Sequence, residues 1–433
     1  MTSAFLADLQ WRGLLHQVTH ADRAHGALAR PGTSAYIGFD PTAASLHVGS
    51  LLPITALMRL RQHGLHPIAV VGDGTGLIGD PSGKTAERKL LDAPDVAANS
   101  AAIEAQLRSL FGHVGLEPPT FVRNGDWLGG LPLVAFLRDV GKYFSVNTMI
   151  QRDSVKARLE QRDQGISYTE FSYMLLQAFD FLELWRRAGC VGQLGGSDQW
   201  GNIVAGVDLI ERLEPASAAP DRAPFGVTMP LVTTRAGHKF GKTEAGTVWL
   251  DAARTTPWQF LQFWLDADDD SALLWLGFFT LLPQPDIEAV RARHALAPHE
   301  RHAQKTLAHA VTAMVHGPVA TDEAEACARI VFGGDPRTAS ADLFAALAAA
   351  LPSRTVAPDT DATLATCVGG DGGLFASNGD LRRALQAGGV QWNGERLGAD
   401  DLFRPLAAAR WLHGQWALVR FGKRPFVVRR GPA

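Results

Sequence analysis

Cysteine is scarce in this 433-residue chain, which has only Cys190, Cys327 and Cys367. They lie far apart, with no C-x-x-C pair. That excludes a disulfide framework and a thiolate zinc cluster, and it suits a reducing compartment. Long apolar runs are also missing, since none approaches the roughly 18 residues that read as a membrane-spanning helix. The opening segment, MTSAFLADLQWRG, has no basic stretch ahead of an apolar one. No signal peptide is therefore expected, and a soluble, cytoplasmic protein is. Nor is one charge in excess: 41 Lys and Arg against 44 Asp and Glu leave a net −3. A polyanionic partner must then be held by a local basic patch. There is no internal repeat and no long low-complexity tract.

What is present is an ordinary globular mix, 46% hydrophobic and 20% charged, in a chain longer than one core usually supports. Two or three domains are expected. β-prone runs at 35–39, 67–71, 120–122, 190–194 and 225–232 alternate with helical patterns near 47–63, 99–112, 132–144, 167–188 and 198–213. This order predicts an α/β fold with a mainly parallel sheet, and its ligands belong at the carboxyl ends of the strands. Residues 255–350 are Ala-rich and helical in pattern. The stretch 351–363, LPSRTVAPDTDAT, reads as a linker because proline and small polar residues interrupt any periodicity. A third block, 364–433, contains a Trp392-Asn393-Gly394-Glu395 hairpin signal and a basic tail.

Three short segments stand out. In YIGFDPTAASLHVGS (36–50) a strand turns into a helix, with His47 and Gly49 where a helix start can meet phosphate. Taken alone this is as well explained by capping. GDGTGLIGDPSGK (72–84) evokes a P-loop but is not one, because the first glycine of that motif would fall at Ile78. Its density of glycines, with Asp80, Lys84 and Arg88 close by, still points to a site. KFGKT (239–243) sets two lysines about a glycine, as a clamp on polyphosphate would. A solvated surface loop has the same composition. On the helical pattern at 167–188, Tyr173, Gln177 and Asp180 fall at i, i+4 and i+7 and so share one face. The stripe holds one acid and no base, and Phe179 and Phe181 flank that acid, as in a pocket wall.

Together, His47-Val48-Gly49-Ser50 and Lys239–Thr243 resemble the HIGH and KMSKS signatures of class I aminoacyl-tRNA synthetases. FSYMLLQAFDF (171–181) and QLGGSDQWGN (193–202) are similar to segments of the bacterial tyrosyl-tRNA synthetases. The resemblance runs from about Tyr36 to the C-terminus. It implies a Rossmann-like catalytic domain at 1–232, then the KFGKT loop and a helical, anticodon-side domain at 233–350. After the linker at 351–363 it implies a small α+β, S4-like RNA-binding domain at 364–433.

The resemblance also implies roles. Asp80, Tyr173 and Gln177 would hold the ammonium of L-tyrosine, and Tyr36 and Asp180 its phenolic hydroxyl. Gln193 and Gln199 would orient the substrate. Gly38, Asp40, Thr42, His47, Gly49, Ser50, Gly196, Asp198, Lys239 and Lys242 would meet ATP. His47, Lys84, Arg88, Lys239 and Lys242 would stabilise the phosphates during transfer, with Mg2+ on the pyrophosphate. Ser50 replaces the second histidine of HIGH, and KFGKT keeps both lysines of KMSKS. A homodimer is implied, with the apolar segment 136–144 as the candidate contact (the residues alone do not separate interface from core).

From Leu402 onward the chain has seven Lys and Arg and no Asp or Glu, a local basic patch of the kind tRNA needs. Arg382, Arg383, Arg420, Lys423 and Arg424 are its expected contacts. Two other readings compete. A tryptophan-specific relative would share the signatures, but an indole has no hydroxyl for Asp180 and Tyr36. A catalytically silent RNA-binding descendant would be expected to lose the lysines of KFGKT, and both are present.

Overall fold

Residues 2–82, 91–152, 155–156, 159, 166–232, 240–243, 246–358, 362–422 and 424–431 are described in the computed structural model, with backbone alone at 242, 243 and 408. By contacts the chain divides into two units, 1–255 with 263–316 and 256–262 with 317–433. This differs from the division at 232 and 350 expected from the sequence.

The first unit is built on a six-stranded sheet: β1 (Gln17–Val18), β2 (Ser34–Phe39), β3 (His66–Val71), β4 (Thr120–Arg123), β5 (Gly192–Gly196) and β6 (Phe225–Met229). The spatial order is β1-β6-β5-β2-β3-β4. All neighbours are parallel except the β1–β6 pair. Strand β3 reads HPIAVV, and its last five residues are buried. A parallel strand covered on both faces needs such an unbroken apolar run. Helix Tyr168–Ala188 starts at Ser167, whose side chain accepts the Glu170 amide, and stops at Gly189 with φ of 59°. These are ordinary caps at both ends. Its length places Tyr173 and Asp180 inside the unit, both buried. Among the described residues no helix is long and apolar enough to cross a membrane.

A short antiparallel pair, β7 (Lys242–Thr243) and β8 (Gly246–Thr247), follows in the first unit. The second unit holds a five-stranded sheet of β9 (Ser353–Val356), β10 (Val390–Trp392), β11 (Glu395–Arg396), β12 (Trp416–Phe421) and β13 (Arg424–Arg430). Its order is β11-β10-β12-β13-β9. Asn393 and Gly394 both have positive φ between β10 and β11, as the expected Asn-Gly hairpin turn requires. Side chains alternate across β12 and β13. Ala417, Val419, Phe426 and Val428 join one apolar cluster with Leu364, Leu381 and Trp392. Trp416, Leu418 and Val427 join another with Ile330, Phe344 and Leu347. The sheet therefore buries both faces, and the last helices of the Ala-rich block belong to the same unit as the C-terminal block.

The linker expected at 351–363 is corrected in the same way. Ser353–Val356 pairs in parallel with Val427–Arg430, as an edge strand that ends before Pro358. A strand at a sheet edge needs only one apolar face and tolerates a proline just beyond it.

Candidate active site

The order β4-β3-β2-β5-β6 reverses direction between β2 and β5, and in such sheets a crevice opens there beyond the carboxyl ends. Asp40 follows β2, Gly72 to Asp80 follow β3, Asn124 to Trp127 follow β4, and Gly196 to Gln199 include the end of β5 and the turn after it. Helix Tyr168–Ala188 adds Tyr173, Gln177 and Asp180.

Asp180 is 4% exposed. One carboxylate oxygen accepts the Trp127 indole N–H at 2.7 Å, and the other accepts the Asn124 amide at 2.8 Å. Asn124 is itself fixed. Its second amide hydrogen goes to Thr75 Oγ1 at 2.9 Å, and its oxygen accepts the Gly74 N–H at 2.8 Å. Burial raises Asp180 to about 7 against these two hydrogen bonds, and the charges of Asp40 and Asp73 push the same way as burial. Beside it, on neighbouring strands, Tyr36 and Gln193 are register partners. The Tyr36 hydroxyl and Gln193 Oε1 are buried without a hydrogen-bond partner among the described residues. Burial holds the Tyr36 phenol far above its ordinary range, and the Asp180 charge adds to this. An orphaned hydroxyl next to a buried acid calls for a polar group from outside the chain. Asn124 and Trp127 were not foreseen, because a single Asn or Trp after a strand has no spacing signal.

A second cluster lies along the same helix. The Tyr173 hydroxyl donates to Asp40 Oδ2 at 3.1 Å, and Thr75 Oγ1 donates to Asp40 Oδ1 at 3.1 Å. Asp40 thus belongs with Tyr173 as well as with the turn after β3. A Cβ at Gly72 would come within 2.5 Å of Asp40 Oδ1 and of Thr75 Oγ1, so only glycine allows this approach. Asp80 accepts the Ser82 amide at 2.9 Å and the Gln199 side chain at 2.7 Å. Asn202, likewise unforeseen, donates to Gln177 Oε1 at 2.9 Å and to Gln199 Oε1 at 3.2 Å. Gln177 donates to Gln199 at 3.2 Å. Asp80, Gln199, Gln177 and Asn202 are thus joined by hydrogen bonds, Tyr173 is held by Asp40, and the Asp80 charge reaches Tyr173, a set suited to an ammonium group and a carboxylate.

The two signature segments meet in space. The Val48 amide donates to Val248 O at 3.0 Å, Val248 N to Gly241 O at 3.0 Å, and Leu250 N to Leu46 O at 2.9 Å. His47 bridges Trp249. At Gly241 φ is 86°, and a Cβ would lie 2.5 Å from Val48 Cγ2, so this position needs glycine on both counts. Phe240 is buried, stacked on Phe279 at 5.0 Å and edge-on to Trp275 at 4.9 Å. His47 Nδ1 accepts the Gly49 amide at 3.0 Å, and the ring is exposed. Ser50 is half-buried, its amide on His47 O at 2.7 Å. Thr42, Asp198 and Gly38 are exposed, and the place of a side chain at Gly38 is open. A Cβ at Gly196 would come within 2.6 Å of Asp198 Oδ1. Lys84, Arg88 and Lys239 lie outside the described residues, as does the side chain of Lys242, whose backbone pairs with Thr247.

In the second unit Arg382 and Arg383 are exposed on helix Asn378–Gln386, with Arg383 paired to Asp380. Arg420 is corrected. It is half-buried, and its guanidinium donates to the carbonyls of Ile330 and Gly334, so it closes a helix end rather than facing RNA. Arg424 is exposed and donates to Leu374 O at 2.9 Å. Lys423 lies outside the described residues.

The profile of the family "tRNA synthetases class I (W and Y)" matches residues 30–333. A curated tyrosine–tRNA ligase of Anaeromyxobacter dehalogenans is 47% identical over 96% of this chain and 97% of its own length. One from Geobacillus stearothermophilus is 44% identical over 98% and 99%. Among solved structures, a C-terminally truncated mitochondrial tyrosyl-tRNA synthetase of Aspergillus nidulans superposes with a TM-score of 0.68 and 32% identity. It covers 76% of this chain and 94% of that one.

Proposed function

The chain belongs to the class I tRNA synthetases of the tryptophan and tyrosine group, and we propose that within it this protein is a tyrosine–tRNA ligase. The observation that carries the choice of tyrosine is the buried acid Asp180 beside the unpartnered Tyr36 hydroxyl. An indole could offer one N–H there but no oxygen, whereas a phenol offers both a donor and an acceptor. The second cluster, Asp40, Asp80, Tyr173, Gln177 and Gln199, receives the ammonium and orients the carboxylate.

The carboxylate oxygen of L-tyrosine attacks the α-phosphorus of ATP. The bond to the bridging oxygen breaks, and pyrophosphate leaves. The terminal ribose hydroxyl of tRNA then attacks the tyrosyl carbonyl and releases AMP. Neither step needs a protein nucleophile, so the rate comes from positioning and from charge set against the phosphates. His47, Lys84, Arg88, Lys239 and Lys242 supply that charge and those donors. Gly38, Thr42, Gly49, Ser50, Gly196 and Asp198 border the nucleotide. Among the described residues no cluster of three or more His, Cys, Asp or Glu is placed to hold a metal. Mg2+ would be held by the oxygens of the triphosphate, its usual ligands, and would supply neutralisation of phosphate charge.

The cytoplasm is the proposed location, supported by three cysteines that are all free and buried. A homodimer is proposed through the surface around Leu133, Val134 and Leu137, which are 70%, 78% and 43% exposed. Apolar side chains this open read as a contact surface, and a sedimentation mass of one chain would contradict it.

The second unit is proposed to bind tRNA in the manner of an S4 domain, through Arg382, Arg383, Arg424 and Lys423. Aminoacylation tests the whole reading. L-Tyrosine should be transferred to tRNA, and glutamate at both Arg382 and Arg383 should weaken tRNA binding and reduce its salt slope by about two, leaving tyrosine activation unchanged. Transfer that is indifferent to those two charges would remove this face from the tRNA contact.

A further inference from the structure

Helix Leu51–Gln62 begins where the HVGS turn ends and two turns later carries Arg59, which is 0% exposed. Arg59 Nη2 donates to the carbonyls of Gly277 at 3.1 Å, Phe278 at 2.9 Å and Thr280 at 2.9 Å, and Nη1 donates to Thr55 Oγ1 at 3.0 Å. Arg12 adds bonds to Gly277 O at 3.2 Å and Leu282 O at 2.8 Å. Asp8 balances the two cations, 2.8 Å from Arg12 Nε and 3.8 Å from Arg59 Nε. Those carbonyls belong to the end of helix Asp269–Phe279 and the residues just beyond it, where orphan acceptors need donors. Burial, with Arg12 adding to it, pulls Arg59 down to about 9. A guanidinium kept in so unfavourable a place is held by what it binds.

The same helix supplies Trp275 and Phe279, the walls of the seat for Phe240. We propose that Arg59, backed by Arg12 and Asp8, is a positioning residue for the KFGKT turn: it fixes the end of helix Asp269–Phe279, which seats Phe240. One helix thereby joins the two signatures, presenting HVGS at its start and gripping the support of KFGKT at Arg59. The kinetic part rests on the tyrosine-activation reading given above; the structural part does not. Lysine at this position keeps the charge but loses the planar fork that spans several carbonyls.

Arg59→Lys should lower kcat for tyrosine-dependent ATP–pyrophosphate exchange by about tenfold and leave the tyrosine dissociation constant within about twofold. Combined with Phe240→Leu, the losses should fall well short of multiplying, since both act through one support. Leu110→Ala, a core change in helix Ala93–His113, serves as the control for general destabilisation. Hydrogen exchange reads the link without any activity: the Val248 amide, bonded to Gly241 O, should lose about tenfold protection in Arg59→Lys but not in Leu110→Ala. If Arg59→Lys does not melt cooperatively, Arg12→Lys takes its place in every arm. A kcat equal to the parent's, losses that multiply with Phe240→Leu, or unchanged protection at Val248 would overturn the proposal. A parent chain without tyrosine-dependent exchange, but with the Val248 response intact, would refute the functional reading and leave the structural link standing.

Discussion

Replacing Asp180 by alanine is expected to compress the preference for tyrosine over phenylalanine, in kcat/KM, by about 10- to 100-fold, the worth of a hydrogen bond to a charged group. The Tyr36 hydroxyl, without a partner among the described residues and beside a buried acid, would gain one from a phenol and none from phenylalanine. The family's total rejection of phenylalanine, about 10^5, is the known figure for tyrosyl-tRNA synthetases rather than one obtained from this geometry; it sets the ceiling. Asp180→Asn adds a second readout. The folded-state value of about 7 lies above the ordinary 3.8, so between those values the folded chain holds a proton that the unfolded chain has released. Stability contributed by this group therefore falls as pH rises through that window and is lowest above about 7. An asparagine does not titrate, so the variant should gain on the parent between pH 5 and pH 8 in urea unfolding. An unchanged substrate ratio would place hydroxyl recognition elsewhere, and a parallel pH trend in both proteins would remove the raised acid.

Lys242→Ala should slow adenylate formation by about 10^2 to 10^3, the usual cost of losing one preorganised donor to developing charge. Its backbone is held on three sides. Phe240 is locked into the aromatic seat, Gly241 is pressed against Val48, and Lys242 itself pairs with Thr247. Single-turnover pyrophosphate exchange should show the loss, with the tyrosine dissociation constant unchanged. A comparable loss in tyrosine binding would mean that the lysine acts on the ground state.

The five parallel strands of the first sheet were legible because they are short β-prone runs between periodic helices, whereas the two-residue β1 (Gln17–Val18) is too short to leave a pattern; the face shared by Tyr173, Gln177 and Asp180 followed from helical spacing alone. Asn124, Trp127 and Asn202 were not legible. They act by reaching across to side chains 56, 53 and 25 residues away, and no local pattern encodes such contacts. Arg59 has no spacing signal of its own, and its carbonyl partners more than 200 residues later explain its burial. Arg420 was misplaced for the converse reason: a basic residue in a basic tail gives no sign that carbonyls occupy it. The linker reading failed at Ser353–Val356 because an edge strand that pairs on one side needs little hydrophobic pattern.

ATP–pyrophosphate exchange, run without tRNA against each of the twenty amino acids, tests the central claim most directly. The account predicts exchange with L-tyrosine at a kcat/KM far above that for phenylalanine and tryptophan, and none without an amino acid. Exchange driven best by tryptophan, or by no amino acid at all from a cooperatively folded chain, would contradict it.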